Sequence, residues 1–220
     1  MNVVYEGPYD LPEVIPIFPL PGALLLPRGH MPLNIFEPRY VQLVDAALRG
    51  HRLIGIIQPE VEQAGPAVPR LHRVGCVGRL VQFAETSDGR YIISLAGVAR
   101  FAIEEEMPVT TPFRQCKITA EPFSGDFKPR LGENEVDRDA VVAALLRFTE
   151  ATSLKIDWAG IEKAPNEALV NALSMMAPFG AREKQALLEA PDLKTRAETL
   201  VAITEMGLAK TDPGSQTTLQ

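Results

Sequence analysis

This 220-residue sequence carries little equipment for catalysis. No Gly-Lys pair occurs in it, so the glycine turn that ends in Lys-Ser or Lys-Thr and cradles nucleotide phosphates is missing. ATP hydrolysis by a P-loop is thereby excluded. The serine elbow G-x-S-x-G and the zinc helix H-E-x-x-H are missing too. The three histidines, His30, His51 and His72, lie far apart in predicted loops or element ends, without acidic neighbours at ligand spacing. They are read as surface residues, and neither a metal nor a cofactor is expected. Cysteine is nearly absent. Cys76 and Cys116 have no C-x-x-C spacing and sit in strand-like apolar runs, so both are read as buried reduced thiols.

Positive charge is also sparse. The 22 basic residues are outnumbered by 28 acidic ones and form no stripe, which disfavours nucleic acid as a partner. No apolar run approaches the roughly 20 residues of a membrane helix, so no membrane partner is expected. The start, MNVVYEGPYDLPEV, has acidic residues and neither the basic nor the apolar part of a secretory signal, so a cytoplasmic location is expected.

What the sequence has in quantity is proline, above all between Ile15 and Tyr40, IPIFPLPGALLLPRGHMPLNIFEPRY. Prolines at 16, 19, 21, 27, 32 and 38 exclude a long helix, because each removes a backbone donor and crowds the preceding turn. Two extended segments, near 15–20 and 23–36, fit instead. At Glu37-Pro38 the pattern changes to a helix start. Tyr40, Leu43, Val44, Ala47 and Leu48 then share one helical face, with Gly50 as the stop.

RLIGIIQP reads as a buried strand. VGCVGRLVQFAE and RYIISLAGVARFAIEEE flank TSDG, a hairpin signal, with a bend expected at Gly97. FRQCKITAEPF is a further strand. Beyond 134 the apolar period is helical: one helix carries Val141, Ala144, Leu145 and Phe148, and a second opens at Pro165-Asn166 with Leu169, Val170, Leu173 and Met176 facing inward. REKQALLEA is a third. A fourth is capped by Asp192 and ends at Gly207.

The ordered series P-x-F-P-L-P, a leucine run ending in Pro27, and P-L-x-I-F-E-P-R-Y resembles the start of the Lon protease amino-terminal, substrate-binding domain. V-G-R-L-V-Q-F, D-G-R-Y, L-A-G-V-A-R-F and E-K-Q-A-L-L-E-A-P-D-L-K-T-R-A-E-T-L resemble later parts of the same domain. The resemblance covers about 15–208 and matches the stand-alone family members, without ATPase or peptidase modules. It implies an α+β fold: a PUA-like, largely antiparallel β-barrel lobe followed by an α-helical bundle lobe. The expected division is an arm over 1–14, the barrel lobe over 15–123, a linker over 124–134, the helical lobe over 135–208 and a flexible tail over 209–220.

Each remaining candidate site has an ordinary reading. Glu85, Thr86, Ser87 and Asp88 belong to a hairpin, where such side chains serve the turn. Ser153 and Lys155, two apart, fall on different faces of a helix and make no dyad. Glu104, Glu105 and Glu106 form a solvated strand end, and Phe18, Phe36 and Phe83 are read as core. Glu37 and Arg39 are expected to hold the strand-to-helix junction, Arg39 by tying it to a neighbouring strand. No catalytic, cofactor or metal residue is assigned.

The expected function is non-catalytic binding of protein. The resemblance implies unfolded or degron-bearing segments as partners, with Lon or another protease as an associated partner. An apolar groove between barrel and helical lobe is the expected mechanism. The alternative is a PUA-like module for RNA or a modified nucleotide.

Overall fold

The computed structural model describes residues 3–60, 69–152 and 158–211. Six strands form one sheet: β1 (Val14–Pro19), β2 (His30–Ile35), β3 (Leu53–Ile57), β4 (Val74–Glu85), β5 (Tyr91–Glu106) and β6 (Arg114–Thr119). Their order is β2-β5-β4-β3-β1-β6, and β6 pairs again with β5. Five strands therefore close into a small barrel, and β2 extends it as a wing on the first half of β5. The sheet is mixed. β1 and β3 run parallel because helix α1 (Pro38–Arg49) lies in the connection between them; the other pairs are antiparallel.

Every strand of the closed ring contributes to the interior: Ile15 and Ile17, Leu53 and Ile57, Val77, Phe101, and Cys116 with Ile118. Gly75 stands opposite Phe101, and a methyl group there would lie 2.6 Å from the edge of that ring. The interior is thus filled by side chains, with Phe101 at its centre. Ile54 and Ile56 of β3 face the other way, beneath α1 and the helical lobe, which is why this strand reads as a continuous apolar run.

The leucine run departs from the extended segment expected over 23–36. Only His30–Ile35 is strand; Leu24, Leu25 and Leu26 are buried in a loop that crosses β5. At the crossing, Arg28 N donates to Gly97 O and Gly97 N donates to Gly29 O, each at 2.8 Å. The bend expected at Gly97 is there: the register against β4 skips Val98.

Beyond the barrel come α2 (Arg138–Thr152), α3 (Trp158–Lys163), α4 (Asn166–Met176), α5 (Ala181–Glu189) and α6 (Leu193–Thr211). α3 was not legible in the sequence, being only six residues long. α6 runs straight through Gly207, where a stop was expected. One apolar core runs from α1 and the leucine loop into these helices, through Val141, Val170, Leu187 and Leu200.

Two polar segments are more firmly held than their composition implies. The arm is fastened by buried Leu11, by Arg79 Nη1 donating to Tyr5 Oη at 2.9 Å, and by Tyr9 bonded to Glu121. The segment read as a linker forms short 3-10 turns over Glu121–Phe127 and Glu133–Glu135, with Asp126 and Glu133 buried in ion pairs.

Candidate functional site

The proline-rich motif builds the mouth of the barrel. The end of β1, the end of β2 and the first turn of α1 meet residues 112–114 around a pocket of about 480 Å3. Proline at the first helical position starts α1 without losing a bond, and buried Tyr40 is held with its ring 4.2 Å from that of Phe18. Arg39 does not reach a neighbouring strand as expected. It turns back on Glu37, with Nε at 2.9 Å and Nη2 at 2.8 Å, and lies 4.5 Å over the Tyr40 ring. Glu37 caps nothing with its side chain, and both partners are about half exposed, so the pair forms at the surface. On the far rim, Arg114 donates from Nε and Nη2 to the two oxygens of Glu106 at 2.6 and 2.5 Å, and from Nη1 to Pro69 O at 2.9 Å.

Phe36, read as core, is 64% exposed on this rim. Phe83, also read as core, is 42% exposed. It lies near the free end of the β4–β5 hairpin, edge-on to Tyr91 at 4.9 Å. Phe18 is buried as read. Periodicity places these phenylalanines on strands or at their ends but cannot say which positions another element will cover.

Where the expected apolar groove would lie, barrel and helices are closed on a shared apolar core, and buried polar ties cross the same join. Arg100 of β5 donates to both oxygens of Asp126 at 2.8 and 2.9 Å, and to the carbonyls of Leu188 and Ala190 at the end of α5. Gln58 bridges Gly22 N, Ala181 O and Gln185, and Gln185 donates to Val74 O. Asn171 donates to Pro27 O and accepts from Arg196. Arg196 is buried, with Nη2 unpartnered among the described residues; burial, aided by the nearby Arg100 charge, pulls its pKa down to about 10.

The apolar cavity lies instead within the helical lobe. It measures about 560 Å3 and opens between α2, α3, α4 and α6. Leu145, Phe148, Ile161, Leu173 and Val201 contribute to its walls, and the exposed Ala168 and Ala172 bring one face of α4 to it. Thr204 also lines it, but its hydroxyl is bonded back to Leu200 O at 2.7 Å. Met176, expected to face inward, is 79% exposed on the rim, because α4 ends there and the chain turns away at Pro178.

The other candidates stay apart. His30 and His51 are exposed and His72 is half-buried, on separate elements. Thr86 bonds Asp88 and accepts from Arg90 N at 3.2 Å, and Asp88 pairs with Arg90, so these polar groups serve the hairpin. Glu104 and Glu106 are exposed and paired with Lys117 and Arg114. Cys76 and Cys116 are buried and unpaired; burial pushes the Cys116 thiol up to about 11 and Cys76 higher still. Ser153 and Lys155 lie outside the described residues. Among the described residues no group of acidic, histidine and cysteine side chains could hold a metal ion, and no helix is long and apolar enough to cross a membrane.

Residues 14–205 match the family model described as the ATP-dependent protease La (LON) substrate-binding domain. Lon protease of Dictyoglomus thermophilum is 26% identical over 206 residues, covering 86% of this chain and 24% of that protein. Lon protease of Parabacteroides distasonis is 29% identical over 211 residues, covering 90% of this chain and 24% of that protein. The chain thus spans about a quarter of the length of these curated relatives. Among solved structures, the Lon N-terminal domain protein from Xanthomonas campestris superposes with a TM-score of 0.56 at 23% identity, over 86% of this chain and 97% of that one. The N-terminal domain of Mycobacterium avium complex Lon protease gives 0.62 at 18% identity, over 87% and 98%. At these identities the structures support the fold: a mixed β-barrel with helices, of the α+β class.

Proposed function

The chain belongs to the LON substrate-binding domain family, and from that membership we propose that it is a non-catalytic module holding apolar segments of unfolded or degron-bearing proteins in the cavity between α2, α3, α4 and α6. One observation carries the site: the cavity is lined almost wholly by apolar side chains, and the hydroxyl of Thr204 is already satisfied within its own helix. Such a surface rewards apolar area and asks for no particular hydrogen bond, so it suits clients that share composition and not sequence. The exposed thioether of Met176 on the rim adds a side chain that adapts to many shapes. The non-catalytic reading rests on the sequence, which carries no phosphate loop, serine elbow or zinc helix. A cytoplasmic setting and a role beside Lon or another protease are part of the same proposal.

A titration of labelled unfolded protein tests it. Binding is expected in the micromolar range or weaker, since ordering the client offsets much of the apolar gain. Raising salt should leave it unchanged or slightly tighter. Ala172→Glu, which sets a charge against the cavity from an exposed position, should abolish it without lowering the melting temperature. Binding that survives this variant would remove the cavity from the proposal, and protein-dependent peptidase activity after rigorous purification would overturn the non-catalytic reading.

A further inference from the structure

We infer that the pocket at the mouth of the barrel is a second binding site, built for an uncharged, extended, proline-rich segment. The inference rests on the reading of the protein as a binder of protein segments and adds a site of different chemistry.

Its first support is Tyr40. The residue is only 8% exposed, yet among the described residues its hydroxyl has no hydrogen-bond partner. The oxygen itself is not sealed in, since among the described residues the buried unpartnered side-chain atom is Arg196 Nη2, so the O–H stays open to a ligand. One face of the ring is covered by Phe18 and Arg39 stacks on the residue as well, so what Tyr40 leaves for a ligand in the pocket is its polar tip.

Charge is the second support. Two arginines line the pocket, but each is matched by its own carboxylate, Arg39 by Glu37 and Arg114 by Glu106. Glu37 lines the pocket beside Arg39, and Glu106 offsets Arg114 from outside it, so neither an acidic nor a basic ligand meets an uncompensated charge. A neutral ligand loses nothing to either. The donors left to serve it are the Tyr40 hydroxyl, the N–H groups of Arg39 not engaged by Glu37, and the side-chain NH2 of exposed Asn34.

Shape is the third. Pro19, Pro21, Pro59, Pro69 and Pro112 line the pocket with fixed rings that bring no backbone N–H, and the exposed Phe36 ring stands beside them. A segment rich in proline suits this neutral, ring-lined surface and its side-chain donors. Its backbone offers carbonyl acceptors and few donors, its rings pack on aromatic and proline faces, and it is already extended before binding, so it loses little entropy. The pocket volume of about 480 Å3 admits a few such residues.

Fluorescein-labelled decaproline, titrated into the whole protein and followed by anisotropy, tests the inference, with a glycine–serine decapeptide and a single-stranded RNA of similar size as competing probes. Saturable binding of decaproline alone is expected, little changed between low and high salt. Tyr40→Phe, which removes one oxygen and keeps the ring, should weaken it about three- to tenfold, the worth of one hydrogen bond. Phe36→Ser, at an exposed position, should weaken it further, and Ala172→Glu should leave it unchanged. No saturable binding, or equal binding by wild type and both pocket variants, would overturn the site. RNA that displaces the peptide and is itself weakened by Tyr40→Phe would overturn it in favour of a nucleic-acid pocket. Decaproline binding that depends on Tyr40 in a protein with no affinity for unfolded chains would sustain the site while removing the function proposed for the helical cavity.

Discussion

Arg100 and Asp126 form a buried, two-pronged ion pair across the join between barrel and helices, at 2.8 and 2.9 Å, with the backbone N–H of Arg100 donating to the same carboxylate. The remaining guanidinium nitrogen reaches the carbonyls of Leu188 and Ala190, and the Phe123 ring lies 4.6 Å from the guanidinium carbon. One arginine of β5 therefore fixes the turn at Glu121–Phe127 and the end of α5 together.

Removing one partner leaves the other charge buried without compensation. Arg100→Ala or Asp126→Ala should cost about 3–5 kcal/mol in chemical denaturation, and the double variant should cost much less than the sum of the two.

Arg39 behaves differently although it stands in the most distinctive motif. Its partner Glu37 is at the surface, so Arg39→Ala should lower stability by less than about 1 kcal/mol, cation–π contact included. Thermal melts check this; a loss of several kcal/mol would show that the junction depends on it.

Two glycines should respond in opposite directions. A methyl group at Gly97 would stand 2.0 Å from the carbonyl oxygen of Leu26, a backbone atom, so Gly97→Ala should destabilise by about 1–3 kcal/mol or more. Gly207 lies inside α6 with open space at its Cβ, and Gly207→Ala should stabilise by about 0.5–1 kcal/mol. Paired urea titrations of the two variants read both signs.

Asp192 accepts from Thr195 N at 2.7 Å at the start of α6, and that bond holds its carboxyl below the usual aspartate range. A carboxylate whose folded pKa is depressed adds stability that is complete above its unfolded value, about 4, and is lost as pH falls through the folded one. Asp192→Ala should therefore cost about 0.5–2 kcal/mol at pH 7. The gap in melting temperature from wild type should narrow below pH 4.

The helix α1 was readable in full: Pro38 opens it, Tyr40, Leu43, Val44 and Ala47 are its buried face, and Gly50 ends it. These are local facts, set by ring closure, helical period and the freedom of glycine. The hairpin at Thr86–Arg90 was readable for the same reason, though only Gly89 of the expected Asp88-Gly89 pair takes a positive φ. The parallel pairing of β1 with β3 was not readable, because a crossover leaves no mark in the period of either strand.

The sequence by itself determined the strands apart from the leucine run, the long helices, the family and the absence of the common catalytic motifs, since each rests on short-range spacing or on ordered motifs. Tertiary structure decided where the openings lie. Phe36 and Phe18 look alike in sequence, and only the packing of α1 and the leucine loop buries one and exposes the other. Likewise Asp126 reads as a linker residue until Arg100, 26 positions earlier, is folded against it. Burial depends on what the rest of the chain brings alongside a residue, and the identity of the residue does not carry that information.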